Sequence, residues 1–270
     1  MQQSLCYHTT VLHKGHCLSR LAVALIWGSA WVAAGCARHP QHQELAIAAA
    51  ADLNFALADL SRDFREVHPE IELKIAYGSS GNFYSQIRNR APFDVFLSAD
   101  VDYPGRLVQE GLASADSLFL YAMGRIVVWV PAQSPLDPAT ALRAASVRHV
   151  AIANPQHAPY GRAAEAALRK LGLYDSVEGK LVLGENIAQT MQFVQSGAAE
   201  VGIVALSLAI APAVRNQGRY WEIPLDAYPR MEQGGVILRE SAAAREFRNW
   251  LLSPAAAAKL KDYGFYLPGK

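Results

Sequence analysis

The sequence predicts an α/β protein with mostly parallel β-sheets. Beyond residue 43, apolar strand-like runs alternate with segments in which apolar residues recur at helical spacing. Small and polar residues stand where several of these strands pass into helices, the place where such folds bind ligands. The chain has 270 residues, 51% hydrophobic and 18% charged, and can therefore fill one large core or two smaller ones.

Strands are predicted from apolar runs that are bounded by turn residues. The first two runs, "ELAIAAA" and "IELKIAY", each lead into a segment with helical spacing. The predicted strands cover residues 44–50, 71–77, 93–99, 125–131, 149–154, 180–185, 201–206 and 234–240.

Helices are predicted between most of these strands. One helix covers 161–171 and ends at Gly172, a favoured C-cap residue, and the last covers 254–264 with Pro254 in its first turn. The first helix has one apolar face, which is formed at intervals of four and three residues by Leu53, Leu57, Leu60, Phe64 and Val67.

The first forty-two residues read as a secretory signal peptide with a short tether. Basic residues precede an apolar run over 21–35, which is shorter than the roughly 20 residues that span a bilayer. Cleavage is expected after Ala34, or before Cys36 as in a bacterial lipoprotein, which would place a lipid on Cys36. A buried N-terminal helix is the other interpretation of this run.

Composition narrows the classes of function. The net charge of +1 gives no basic excess for nucleic-acid binding. The cysteines lie in or next to the leader, at Cys6, Cys17 and Cys36, so the mature body is expected to lack disulfides and a cysteine nucleophile. The histidines show no paired spacing of the kind that binds metal ions.

Four junctions between a strand and a helix share one design. They are "AAAADLN" at Asp52, "AYGSSGN" at Ser80, "ANPQHAPYGR" at Tyr160 and "LGENIAQ" at Ile187. First-turn amides of a helix lack partners, and the helix dipole adds partial positive charge there. If the junctions converge, they form a pocket of N–H and O–H donors that suits an oxyanion. The alternative is that serine and glycine serve only as cap and turn residues.

The same segments resemble a known family, the periplasmic molybdate-binding components of ABC transporters. The resemblance runs from about Leu45 to Leu267. It is carried by "AAAADLNFAL", "YGSSGNFYSQIRNRAPFDVFLSADVDYPGRLVQEGLA", "YAMGRIVVWVP", "AIANPQHAPYGRAAEAALRKLGLYD", "GENIAQTMQFVQSGAAEVGIVALSLA" and "YGFYLP", in this order.

The resemblance implies a two-lobed, type II periplasmic binding fold with the ligand between the lobes. Lobe one would be 43–123 plus 232–270, and lobe two 124–231. By the same resemblance the oxyanion is held by Asp52, Ser80, Tyr160 and Ile187, with Ser79 and Asn54 in support. The resemblance also implies that the ligand would be molybdate or tungstate, without a cofactor and without direct protein ligands to the metal.

Two positions depart from the family pattern. Some members place a tyrosine hydroxyl on the ligand where this chain has Ala205, so the chain resembles the branch in which Tyr160 lines the site. Asp52 stands where relatives carry serine or asparagine, and an ionised carboxylate only accepts hydrogen bonds. Three interpretations stay open: Asp52 caps its helix through the amide of Asn54 or Phe55, it is protonated or reoriented in the closed site, or it accepts a proton from a ligand such as phosphate or arsenate.

The resemblance therefore predicts a receptor and not an enzyme. Its partners would be a membrane permease with its ATPase and a small oxyanion, and not nucleic acid. It would act in the periplasm as a monomer, with a possible lipid tether at Cys36. Two other classes stay open: a secreted hydrolase, which needs a base near Ser79 or Ser80, and a ligand-sensing domain related to transcriptional regulators, which needs a DNA-binding segment.

Overall fold

A computed structural model describes residues 43–267 of the chain. The predicted signal peptide, its cleavage site and Cys36 lie outside the described residues. The strands of the described part are β1 Gln43–Ala50, β2 Ile71–Gly78, β3 Val95–Leu97, β4 Phe119–Gly124, β5 Ile126–Pro131, β6 Val150–Ala153, β7 Leu181–Gly184, β8 Val201–Ala205, β9 Gly218–Glu222 and β10 Met231–Ile237. The helices are α1 Asn54–Val67, α2 Ser80–Arg88, α3 Asp102–Gln109, α4 Pro159–Lys170, α5 Tyr174–Val177, α6 Ile187–Gln195, α7 Leu206–Ala209, α8 Ala242–Leu251 and α9 Pro254–Asp262.

The strands form two sheets, each of which belongs to one lobe. Sheet 1 has the order β2-β1-β3-β10-β4, and sheet 2 has the order β7-β6-β8-β5-β9. The expected α/β class is confirmed, but the expectation of mostly parallel sheets is wrong. β1 runs parallel to β2 and β3, whereas β10 runs antiparallel to β3 and β4. Sheet 2 repeats this division, with β6 parallel to β7 and β8 and β5 antiparallel to β8 and β9.

The antiparallel strands have a topological cause. A parallel pair needs a crossover connection, usually through a helix. The chain instead enters sheet 2 directly, because β5 follows β4 after the single residue Arg125. It returns to sheet 1 through the segment 223–230 and then β10. No crossover helix fixes the direction of β5 or β10, so each can run against its neighbours.

Sheet 1 is buried on both faces. Leu45, Ile47 and Ala49 of β1 pack in the core that includes α1, while Ala48 packs with Phe83 on the opposite face. This alternation has the period of two that a strand imposes. A strand covered on both faces reads as a continuous apolar run, which is why β1 was predictable from the sequence.

Helix α1 confirms the predicted apolar face except at its end. Leu57, Leu60 and Phe64 are fully buried, as the spacing predicts. Val67, also assigned to this face, is 59% exposed. It is the last residue of helix α1. Among the described residues, no helix is long and apolar enough to cross a membrane.

Candidate functional site

A small cavity lies where the carboxyl ends of β1, β2, β6 and β7 meet, between the two sheets. Its volume is about 10 Å³, close to the smallest space that holds one water molecule. The cleft is therefore closed, and only a small solute could be enclosed once its walls move slightly apart. The lining residues include no lysine, arginine or histidine and are Ala50, Ala51, Asp52, Gly78, Ser79, Ser80, Ala99, Ala158, Pro159, Tyr160 and Ile187.

The start of α2 supplies two hydroxyls. Ser79 is the N-cap of this helix, and its Oγ accepts a hydrogen bond from the amide of Asn82 at 3.4 Å. The Oγ of Ser80, the first helical residue, accepts from the buried amide of Ala99 at 3.0 Å. Because this bond uses Ser80 Oγ as the acceptor, the hydroxyl proton of Ser80 is left for a ligand.

The starts of α4 and α6 follow the same pattern on sheet 2. α4 begins with Pro159, which has no amide proton, and the amides of Gly161 and Arg162 both donate to the carbonyl of Ala158. The amide of Tyr160 lies between Pro159 and Gly161 along the chain. In α6 the N-cap Asn186 accepts from the amides of residues 188 and 189 through its side chain.

Each of the three helix starts therefore leaves one first-turn amide without a hydrogen bond inside the described part of the chain. These amides belong to Ser80 in α2, Tyr160 in α4 and Ile187 in α6. All three residues line the cavity and are 1% to 3% exposed. Unpaired amides at converging helix N-termini attract anions, because the helix dipoles add partial positive charge at the same point.

Asp52 brings the fourth junction to the same cavity. It lies in a single 3₁₀ turn, Ala51–Leu53, between β1 and α1 and is 1% exposed. Its Oδ2 accepts from the hydroxyl of Tyr160 at 3.0 Å and from Nε2 of Gln233 at 2.6 Å. Its Oδ1 is buried and has no partner among residues 43–267.

These contacts exclude one interpretation of Asp52. A cap would accept from the amide of Asn54 or Phe55, but no side chain caps this turn or α1. The capping interpretation is therefore wrong, because Tyr160 and Gln233 direct the carboxyl away from the helix start.

Burial changes the acidity of the Asp52 carboxyl. Loss of hydration penalises the charged form and raises the pKa of Asp52 from 3.8 to about 6. The hydrogen bonds from Gln233 and Tyr160 act in the opposite direction but do not offset the burial. The group can therefore change its protonation near neutral pH, which an exposed aspartate cannot do.

The structure brings most of the predicted site residues together. Asp52, Ser79, Ser80, Tyr160 and Ile187 all line the cavity. The lining does not include Asn54, which begins α1.

Sequence reasoning missed two residues that touch Asp52. Gln233 of β10 is fully buried and donates to the carboxyl of Asp52, and the hydroxyl of Ser207 donates to the backbone carbonyl of Asp52 at 2.9 Å. A polar residue within an otherwise buried strand was the only available signal for Gln233. Its two following glycines mark the bulge at which β10 shifts register.

Contacts across the mouth of the cleft hold the two lobes in the closed form. The amide of Gly81 donates to the carbonyl of His157 at 2.8 Å, and Ser79 Oγ lies 2.9 Å from His157 Nδ1. The side chain of Asn82 donates to Glu185. An ion pair at 2.5 Å joins Arg162 to Asp100.

We expect Arg162→Ala to weaken ligand binding by no more than about fivefold. Arg162 pairs with Asp100 and donates to the hydroxyl of Tyr103 at 3.3 Å, so its loss disfavours the closed form. The side chains of the pair are 42% and 14% exposed, and such a pair contributes about 0.2–1 kcal/mol. The dissociation constant and its dependence on salt would be measured by titration calorimetry.

Arg169→Ala is the matched control. Arg169 lies in the same helix, and its salt bridge is with Glu165 of that helix, so it does not join the lobes. Equal effects of the two substitutions would contradict the assignment of Arg162 to lobe closure.

Among the described residues, no group of three or more histidine, cysteine, aspartate or glutamate side chains could hold a metal ion. The donors around the cavity are amides and hydroxyls, which are complementary to the oxygen atoms of an anion and not to a cation. Fold and cavity together define a two-lobed binding protein whose site lies between the lobes.

Comparisons with known proteins identify the family. The profile of the bacterial extracellular solute-binding proteins matches residues 45–266. The molybdate-binding protein ModA of Azotobacter vinelandii is 40% identical over 254 residues, which cover 93% of this chain and 98% of that protein. The molybdate-binding protein ModA of Rhodobacter capsulatus is 42% identical over 193 residues, which cover 70% and 75%.

A solved structure agrees with the sequence relatives. The periplasmic molybdate-binding protein of Azotobacter vinelandii superposes with a TM-score of 0.78 at 35% identity, covering 83% of this chain and 99% of that one. The chain belongs to the bacterial extracellular solute-binding protein family and, within it, to the ModA proteins. The predicted two-lobed fold and the predicted family are confirmed.

Proposed function

We propose that this protein captures molybdate, and tungstate with it, and delivers the anion to the permease of an ABC importer. The observation that carries the proposal is the convergence of three unused amides, at Ser80, Tyr160 and Ile187, on a cavity without a cationic side chain. Such dipoles stabilise a desolvated dianion and still allow release when the lobes open. Two relatives that are 40% and 42% identical to this chain are molybdate-binding proteins.

The proposal extends to the ligand contacts. The amides of Tyr160 and Ile187 and both the amide and the hydroxyl of Ser80 would donate to the oxyanion, with Ser79 in support. Asp52 would take the fourth position. Lobe one would be 43–123 plus 232–270, and lobe two would be 124–231. The lobes would move relative to each other about the two places where the chain crosses between them.

Location and partners follow the family. Extracellular solute-binding proteins work outside the cytoplasm, and we propose the periplasm for this chain. A monomer suffices for the proposed site, because all the donors come from one chain. A lipid on Cys36 stays a prediction. A permease with its ATPase would bind the closed form of the protein.

One contact favours the hydrolase alternative, but other facts oppose it. Ser79 Oγ lies 2.9 Å from Nδ1 of His157, and Nε2 of His157 lies 3.6 Å from Glu185. The serine and the histidine come from different lobes, so the pair forms where the cleft is already closed. From a cavity of about 10 Å³ the walls would have to move much further apart for an ester than for a small tetrahedral anion, and the chain belongs to a family of binding proteins.

The proposed function is tested by titration calorimetry of the purified protein, stripped of ligand, at pH 7. We expect one-to-one binding of molybdate and tungstate, with sulfate and phosphate weaker by about tenfold or more, a difference of about 1.4 kcal/mol. Phosphate is expected to bind more weakly because a site built from donors favours fully deprotonated anions, and phosphate still carries a proton at pH 7.

The same titration with Asp52→Ser separates the molybdate proposal from its alternative. A preference for phosphate or arsenate in the wild type, reversed by Asp52→Ser, would show that the carboxylate accepts a proton carried by the ligand. That result would replace molybdate with a phosphate-type oxyanion as the ligand.

A further inference from the structure

The two oxygens of the Asp52 carboxyl have different surroundings. Oδ2 accepts two hydrogen bonds, at 3.0 Å from Tyr160 and at 2.6 Å from Gln233. Oδ1 is buried without a partner among the described residues, although Asp52 lines the cavity. An ionised carboxylate would leave an acceptor-only oxygen at a cavity that otherwise offers donors. A neutral acid carries one O–H donor, and Oδ2 can still accept both bonds.

Among residues 43–267, no positively charged group contributes to the pKa of the Asp52 carboxyl. Tyr160 of α4 and Gln233 of β10 donate to the side chain of Asp52, and the hydroxyl of Ser207 of α7 donates to its backbone carbonyl. Tyr121 of β4 lies close enough for the charge of Asp52 to raise the pKa of that phenol further above its usual value, which burial already raises. All these neighbours are neutral at pH 7.

The strands next to the two crossings between the sheets both contribute a residue near Asp52. Gln233 lies in the strand that follows the second crossing, and Gly124 ends the strand before the first. A Cβ at Gly124 would lie 2.5 Å from the hydroxyl of Tyr160 and 2.8 Å from Nε2 of Gln233. The carboxyl is therefore enclosed by residues next to both crossings and by Tyr160 of α4, and we expect it to become hydrated when the lobes open.

We propose that the protein holds its oxyanion with Asp52 in the neutral form, the proton residing on Oδ1 as a donor to the ligand, so that binding from neutral solution takes up one proton. This inference rests on the proposed function. The buffer supplies the proton, and it returns to solution when the lobes open and the ligand leaves.

The sign of the pH dependence follows from linkage. In the open protein the carboxyl is hydrated and has an ordinary pKa near ~3.9, so it is ionised at neutral pH. In the closed form burial raises the pKa of Asp52 to about 6, and a bound dianion raises it further. Between the open and the bound pKa, affinity falls as pH rises, by up to about tenfold per pH unit.

The inference is tested with molybdate by calorimetry at pH 7.5 in two buffers of different ionisation enthalpy, HEPES and Tris. The dependence of the observed enthalpy on the buffer gives the number of protons taken up, and we expect a net uptake by the wild type that grows as the pH is lowered toward 6. Across pH 6 to 8.5 we expect the dissociation constant to rise steadily, by up to about tenfold per pH unit.

Asp52→Asn is the matched variant, because its amide supplies an N–H donor that does not titrate. We expect it to take up almost no proton and to bind molybdate with a dissociation constant that does not vary with pH. Proton uptake that persists in Asp52→Asn would place the proton on the ligand and overturn the inference. Thermal melting of the variant verifies its fold; if it does not fold, Asp52→Ser, whose side chain also does not titrate near neutral pH, takes its place in the same measurements.

The two proposals fail in different ways. If molybdate and tungstate do not bind at all, the proposed function fails and the inference with it. If they bind tightly, without proton uptake and with a constant affinity from pH 6 to 8.5, the proposed function stands and only the inference is overturned.

Discussion

Gly161→Ala is expected to lower the free energy of unfolding and to weaken oxyanion binding together. Gly161 lies in the first turn of α4, directly over the end of β6. A Cβ there would lie 2.2 Å from the carbonyl oxygen of Ala153 and 2.8 Å from the carbonyl carbons of Ala153 and Asn154. Backbone atoms cannot rotate away as a side chain can, so the helix start must move.

This displacement has two measurable consequences. Overpacking of this kind costs about 1–3 kcal/mol or more, which for a domain of this size lowers the melting temperature by roughly 2–4 °C per kcal/mol. The amide of Tyr160, which precedes Gly161, would move with the helix, and its N–H group would no longer point at the ligand. We expect molybdate affinity to fall by about tenfold or more, since ~1.4 kcal/mol is enough for that change.

Gly105→Ala is the control for the substitution itself. Gly105 lies in α3, and a Cβ there meets no atom within 4 Å. Alanine replaces glycine in a helix with a gain of about 0.5–1 kcal/mol, so this variant should melt at the same or a slightly higher temperature. If Gly161→Ala behaved like Gly105→Ala in melting and in titration, the close packing of α4 on β6 would not position the site.

Much of the fold could be predicted because buried strands leave a simple pattern. β5 and β8 are almost entirely buried, β1 is buried over most of its length after Glu44, and all three read as apolar runs. β9, which was missed, is an edge strand with mostly exposed or half-exposed residues and has no such pattern. β4 was also missed, although only Leu120 and Met123 of this strand escape full burial. "FLYAMG" is nearly as apolar as the following strand β5, and only Arg125 separates the two, so the sequence does not show where one strand ends.

The site was predictable where local rules apply. The junctions at Ser80, Tyr160 and Ile187 were recognisable from first-turn amides near cap and turn residues, which depend on a few neighbouring residues, and the family resemblance assigned them to the ligand. The partners of Asp52 depend on tertiary contacts, since Gln233 is 181 residues away and Ser207 is 155 residues away. No short-range pattern records such separations, so the environment of Asp52 required the structure.

Ser80→Ala is expected to weaken molybdate binding by about ten- to a hundredfold. A hydrogen bond from a hydroxyl to a charged ligand contributes about 1.5–3 kcal/mol. The substitution removes this donor and also the acceptor of the buried amide of Ala99, which is 3.0 Å from Ser80 Oγ. The first loss acts on the bound form, whereas the second acts on stability as well, because Ser80 and Ala99 both belong to the proposed lobe 43–123. Calorimetric titration with molybdate measures the change in dissociation constant.

Ser85→Ala is the matched control from the same helix. Its hydroxyl donates to the carbonyl of Gly81 at 3.0 Å and does not line the cavity, so its removal leaves the donors to the ligand in place. We expect its dissociation constant for molybdate to stay within about twofold of the wild-type value. Substitutions that leave the core and the binding site intact usually change the free energy of unfolding by less than ~0.5 kcal/mol. If Ser80→Ala bound molybdate as tightly as Ser85→Ala does, the hydroxyl of Ser80 would not contact the anion. The amides of Tyr160 and Ile187 would then have to supply the binding energy, because helix dipoles act on an anion without any side chain.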